Sequence, residues 1–317
     1  MTKILVNDGI HPDGQAQLEA AGFQVDNTKI AQDDLPARLP EYEAIVVRSA
    51  TKVRQALIDS CPNLKVIARG GVGLDNIDVD YAKSKNIAVI NTPAASSQAV
   101  AELTFGHLFG LARSLHLANR EMPGKGDSEF KSLKKAYSKG FQLRGKTMGI
   151  IGMGRIGQET ARIALGLGIK VLAVDPFVET ADIEVVMGNS GDTTTEVLST
   201  VSMEDMLAQA DIVSLHIPFL GKPVLSHDEF AQMKDGAILI NCSRGGTVDE
   251  EALLQALNEG TLAAAGLDVF ENEPTPRKEL LEHPRISLSP HIGASTVEAQ
   301  RNIGLELADK ITAAFNN

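Results

Sequence analysis

A chain of 317 residues is long enough for two ordinary cores rather than one. Its hydrophobic and charged fractions, 43% and 22%, are those of a soluble globular protein, and no apolar run reaches the ~20 residues of a membrane span. A net charge of −11 argues against nucleic acid or an anionic membrane as partner, although a few local arginines can still hold a small anion.

The opening MTKILVNDGI reads as a strand entering a loop, with no apolar core of a secretory signal. KILVN, AIVVR, KVIAR and AVINT follow one another as short Val- and Ile-rich strands. Amphipathic stretches such as DGQAQLEAA and DVDYAKSKN separate them. This alternation predicts βαβ units. The strands are continuous apolar runs, as expected of a parallel sheet covered on both faces. Cys61 and Cys242 each lie beside a strand and far apart in sequence, so two buried thiols and a reducing cytoplasm are the expectation.

Residues 97–120 carry a long helical pattern suited to joining two domains. The following polar, basic stretch 121–140 reads as a surface arm. Its Lys131, Lys134, Lys135 and Lys139 could add charge to a neighbouring subunit's site. A second strand series comes next: TMGIIG, KVLAVD, ADIVSLHI, AILINC, LAAAGLDVF and ISLSP. Within it the small polar segment 189–200 reads as an inserted surface loop, and the connection after SLHI as shortened.

Gly152, Gly154 and Gly157 form a GxGxxG that follows a strand and opens a helix, and the next strand ends at Asp175. A lone GxGxxG is weak; with strand, helix and distal acid it predicts a dinucleotide site. The pyrophosphate would meet the N–H groups at the helix start, around Arg155 and Ile156. Asp175 would accept from the ribose hydroxyls and repel a 2′-phosphate, which favours NAD over NADP.

Six motifs in this order resemble the D-isomer-specific 2-hydroxyacid dehydrogenases, most closely the phosphoglycerate dehydrogenases. They are RGGVGLDNID (69–78), NTPAASSQAVAE (91–102), GMGRIG (152–157), NCSRGGTVDE (241–250), GLDVFENEP (266–274) and SPHIGAST (289–296). The resemblance implies an α/β fold of two doubly wound parallel-sheet domains. Residues 1–96 with 286–317 would form a flavodoxin-like substrate domain and 97–285 a Rossmann NAD-binding domain, with substrate in the cleft between them. It further implies a homodimer and the oxidation of D-3-phosphoglycerate to 3-phosphohydroxypyruvate, the first step of serine biosynthesis. Only 26 residues follow His291, so serine feedback through a further C-terminal domain is not expected.

Carried over position by position, the resemblance makes His291 the acid/base, Glu273 its carboxylate partner and Arg244 the grip on the substrate carboxylate. An imidazole suits proton transfer near neutral pH, and a guanidinium suits a planar carboxylate. Glu271 is then a solvated neighbour. His216, Ile217 and Pro218 would border the adenosine, and Cys242, Ser243, Asp268, Gly293 and Ala294 the nicotinamide end. Val72 would border both cofactor and substrate, and its N–H and that of Gly73 would bind the carboxylate. Arg48, with Ser49, and Arg69 end neighbouring strands and could take a phosphate. The other histidines, His11, His107, His116, His227 and His283, read as structural. Two alternatives stay open: a glyoxylate or hydroxypyruvate reductase or other D-2-hydroxyacid dehydrogenase, and an NAD-sensing corepressor that keeps the Arg, Glu and His.

Overall fold

The computed structural model describes residues 1–316. The chain divides into two compact units: Met1–Ala99 with Ala294–Asn317, and Val100–Gly293.

The first unit is built on five parallel strands: β1 (Lys3–Val6), β2 (Gln24–Asp26), β3 (Ala44–Val47), β4 (Val66–Arg69) and β5 (Ala88–Asn91). Their order, β2-β1-β3-β4-β5, is that of flavodoxin-like sheets. Successive side chains of a strand point to opposite faces. Accordingly Ile4 and Val6 enter one core with Leu18, Ile303, Leu307 and Ile311. Leu5 enters the other with Ile45, Val47, Ile67 and Leu57. Both faces are covered, which is why the strands carry no polar alternation. β2 is short and half polar, and its pattern had not marked it as a strand.

The second unit carries β6 (Thr147–Ile151), β7 (Lys170–Val174), β8 (Thr180–Met187), β9 (Asp192–Ser199), β10 (Ile212–Leu215), β11 (Ala237–Asn241), β12 (Leu262–Leu267) and β13 (Ile286–Leu288). Six form a parallel sheet in the order β13-β12-β11-β10-β6-β7. Val213 and Leu239 serve the core on one face and Ile212, Ile238 and Ile240 that on the other.

Four expectations need correction. The second unit runs to Gly293 rather than 285, because β13 pairs with β12 through Ala265, Gly266 and Leu267. The segment 189–200 is not a loop: most of it is β9, antiparallel to β8. Ala181, Ile183 and Leu198 turn inward, while its run of threonines suits an exposed β ribbon. A bridge from Thr200 to Ala173 ties this hairpin to the β7 edge, where a full Rossmann sheet adds another strand. The long helical pattern breaks at Ser114, which sits in the left-handed region at φ 52, so one helix spans Ser97–Ala112 and the next Leu115–Lys125. The basic arm is largely helical too, with a Phe130–Ala136 helix anchored by buried Leu133.

Candidate active site

The dinucleotide turn lies between β6 and the Arg155–Gly166 helix. Gly152 has φ 97, and a Cβ there would stand 2.6 Å from the His216 carbonyl oxygen and 2.7 Å from Ile217 Cγ2. Gly157 lets the helix approach the turn; a Cβ would overlap the Gly152 carbonyl oxygen. A Cβ on Gly154 would meet nothing within 4 Å, and Gly154 and Arg155 are exposed. The turn is therefore closed toward the protein and open at its rim, which fits a pyrophosphate lying on backbone N–H groups. Asp175, just beyond β7, accepts from Met153 N at 2.8 Å through Oδ2 and from Phe177 N at 2.8 Å through Oδ1. These bonds aim a carboxylate at the turn, as a ribose-binding acid requires. His216 is docked through its own N–H, 2.8 Å from the Ile151 carbonyl. Its ring bonds Ser214 Oγ at 3.0 Å, and burial pulls its pKa to about 3, so it stays neutral and offers no acid/base chemistry.

Beyond β11 the chain turns sharply, and Asn241 ties the turn. Its Oδ1 accepts from Ser243 N at 3.0 Å and Ser243 Oγ at 2.7 Å, while its Nδ2 donates to the Arg244 carbonyl at 3.1 Å and Thr247 Oγ1 at 3.0 Å. Asn241 and Thr247 were not singled out from sequence; the only signal was their place in the Arg244 motif. Cys242 is buried, and burial with Asp268 nearby pushes its thiol up to about 12, so it is no nucleophile.

His291 donates from Nδ1 to Glu273 Oε2 at 2.7 Å. Glu273 Oε1 accepts from Phe270 N at 3.0 Å. Burial alone would raise the Glu273 pKa. The bond to and charge of His291, the Phe270 amide and the Arg244 charge outweigh it and hold the carboxyl below its ordinary value. A carboxylate on Nδ1 selects the tautomer with Nδ1–H and leaves Nε2 to exchange a proton. The His291 side chain is 43% exposed, so Nε2 chemistry is open to a ligand. Arg244, Glu273 and His291 thus act on one another within the second unit. Glu271 contributes its backbone N–H to Glu250 Oε1 at 2.8 Å, and its side chain is exposed.

Asp268 is 1% exposed and its carboxylate serves the turn that carries His291. It accepts from Ser289 Oγ at 2.6 Å, Ile292 N at 2.9 Å and Gly293 N at 2.9 Å, while its carbonyl accepts from His291 N at 2.8 Å. This intramolecular work was not visible in the sequence.

In the first unit Val47 registers with Arg69, so Arg48 and Arg69 emerge from neighbouring strand ends. Arg48 Nη1 donates to Gln300 Oε1 at 2.7 Å, and Arg69 Nη1 donates to the Gly73 carbonyl. Ser49 is exposed. The loop with Val72 and Gly73 is pinned by Gly71 N to Thr92 Oγ1 at 2.9 Å and Asn91 Nδ2 to the Val72 carbonyl at 2.6 Å. The Ala294 carbonyl accepts from Gln300 Nε2 at 2.7 Å.

A model of the D-isomer specific 2-hydroxyacid dehydrogenase NAD-binding domain matches residues 105–293. The chain belongs to this family. This dehydrogenase is 42% identical, over 98% of its own length and 97% of the other's, to a hydroxypyruvate reductase from Thermotoga maritima. It is 39% identical to a D-3-phosphoglycerate dehydrogenase from Methanocaldococcus jannaschii, spanning 98% of its own length but 57% of that relative's. Among solved structures it resembles an NADPH-dependent glyoxylate/hydroxypyruvate reductase from Sinorhizobium meliloti. The TM-score is 0.81 at 28% identity, over 100% of this chain and 96% of that one. The family's cofactor is NAD, and the open glycine turn with Asp175 fits it. No helix among the described residues is long and apolar enough to cross a membrane, and no group of three potential metal ligands occurs among them.

Proposed function

We propose that this dehydrogenase oxidises D-3-phosphoglycerate, with Arg244, Glu273 and His291 as the reacting machinery. Gly152, Gly154, Gly157 and Asp175 would hold the cofactor, with Arg155, Ile156 and the 216–218 backbone beside it. NAD supplies the two-electron acceptor. Arg244 holds the substrate carboxylate by paired N–H bonds and polarises the C2 oxygen. His291 Nε2 takes the proton of the C2 hydroxyl, and Glu273 stabilises the imidazolium that results. In the reverse direction the same Nε2 returns the proton. Within the second unit Cys242, Ser243 and Gly293 are assigned to the nicotinamide end, with Asp268 behind them holding the turn; within the first unit Val72 and Gly73 are assigned to the substrate carboxylate.

The observation that carries the phosphorylated substrate is the pair Arg48 and Arg69 at adjoining carboxyl ends of parallel strands, the edge where such sheets bind ligands. The identity to a hydroxypyruvate reductase over the full chain favours a second reading, reduction of hydroxypyruvate. Steady-state assays separate the two. Arg48→Ala and Arg69→Ala should lower kcat/KM for 3-phosphoglycerate about tenfold more than for hydroxypyruvate or D-glycerate, since a hydrogen bond to a charged group is worth roughly 1.5–3 kcal/mol. Equal losses on both substrate types would assign the arginines to the scaffold and leave the reductase reading.

A further inference from the structure

The turn that presents His291 is strained. His291 has φ 54, a backbone region that a non-glycine residue holds only where its surroundings over-determine it. Asp268 supplies part of that hold, through the Ile292 and Gly293 amides and its own carbonyl. What orients Asp268 lies one layer further in. His107, on the Ser97–Ala112 helix, is 5% exposed, and a Cβ added at Gly266 of β12 would stand 2.8 Å from its Cβ. Its Nε2 lies 2.8 Å from Ser289 Oγ and its Nδ1 lies 2.9 Å from Ser287 Oγ.

The proton positions along this chain follow from its end. A carboxylate can only accept, so Ser289 must give its single hydroxyl proton to Asp268 Oδ1. Toward His107, Ser289 is then the acceptor, and Nε2 must carry a proton. A neutral imidazole has one N–H, so Nδ1 accepts, and Ser287 is the donor. The charged or titratable groups facing the ring are Asp268 and His116. Burial lowers the His107 pKa; Asp268 opposes this and His116 adds to it, and the ring stays neutral. With the proton on Nδ1 instead, Ser289 would turn its hydroxyl to Nε2 and set its lone pairs against Asp268 Oδ1 at 2.6 Å.

We propose that His107 is a positioning residue for the reaction: its Nε2–H fixes the Ser289 hydroxyl on Asp268, and Asp268 so fixed holds the 289–293 turn and His291 in their working geometry. This rests on the reading of His291 as the acid/base. It also replaces the expectation that His107 is merely structural, for which a leucine of similar bulk would serve as well.

The test uses the full chain, with whichever of 3-phosphoglycerate or hydroxypyruvate it turns over. A Gln side chain can place an amide N–H near the position of Nε2, whereas Asn reaches only the position of Nδ1. His107→Leu and His107→Asn should each lower kcat/KM roughly tenfold, the order expected for a lost buried bond, and His107→Gln should restore it to within about twofold of the wild type. Thermal melts identify any variant that fails to fold. Ser289→Ala, a smaller change, should lower kcat/KM similarly, and adding His107→Leu to it should cost less than about twofold more, because the link is already cut. The inference is overturned if Leu, Asn and Gln are equally active, or if the His107 and Ser289 losses multiply. Nitrogen-15 NMR of the imidazole rings supplies a readout independent of turnover. An Nδ1–H tautomer or an imidazolium at neutral pH for His107 would overturn the inference alone. Full activity in His291→Ala would instead remove the acid/base reading, and with it the function given to the turn.

Discussion

Glu273 shows how one carboxylate can set both a tautomer and a pH range. Its pKa is depressed in the folded protein, so the ionised pair with His291 contributes above the ordinary carboxylate value, about 4.3, and is lost only as pH falls through the lower folded value. Across neutral pH the Glu273 carboxylate is therefore ionised. Glu273→Gln removes the charge and keeps the shape. With His291 as the proposed acid/base, loss of its charged partner should lower kcat/KM in both directions by roughly tenfold. Unchanged kcat/KM would show that Glu273 does not support His291. At this scale the sequence was informative where a motif carries a chemical group: Arg244, Glu273 and His291 could be named. It was silent on Asn241, which ties a local turn, and it did not link Ser289 to His107, which meet across 182 positions.

At the scale of elements, close backbone crossings make the sharpest predictions. In the first unit Gly14 of the Pro12–Ala20 helix meets Gly304 of the Val297–Asn316 helix, and a Cβ at Gly14 would stand 2.7 Å from Gly304 Cα. Backbone on both sides cannot rotate away, so Gly14→Ala should cost about 1–3 kcal/mol in denaturant unfolding. Gly106→Ala, at an exposed helical position with open space, should instead be neutral or stabilising by about 0.5–1 kcal/mol. A second case is Glu250, in the first turn of the Glu250–Glu259 helix. It is buried, its Oε1 accepts from Glu271 N, and its Oε2 has no hydrogen-bond partner among the described residues. Burial raises its pKa, with Glu271 adding repulsion. A raised acid binds its proton more tightly folded than unfolded, so stability falls as pH rises from the unfolded value through the folded one. Glu250→Gln keeps the acceptor for Glu271 N. Its melting temperature relative to wild type should therefore rise with pH across that window, and a constant difference would refute the assignment. Parallel strands were legible because buried sheets need uninterrupted apolar runs. The β8–β9 hairpin and the helical arm were not, because their residues are mostly polar and their order depends on a few inward side chains such as Ile183, Leu198 and Leu133.

For the whole molecule, cofactor choice is the most direct measurement. A ligand that binds only the folded chain adds about 2.7 kcal/mol at a hundred times its Kd, which moves the melting point by a few degrees in a protein of this size. NAD should do this and NADP should not, while Asp175→Ala should narrow the gap by removing the charge that repels a 2′-phosphate. Equal protection of the wild type by NADP would refute the role of Asp175. Taken alone, the sequence determined the fold class and the glycine turn, because strand burial and a positive-φ turn each demand particular residue types at short spacing. The tertiary structure alone decided that the second unit ends after β13, that Asp268 is spent on the His291 turn, and that a buried histidine of the Ser97–Ala112 helix stands behind it. Those facts are pairings between distant segments, and a residue's type does not reveal which distant partner will satisfy its hydrogen bonds once it is buried.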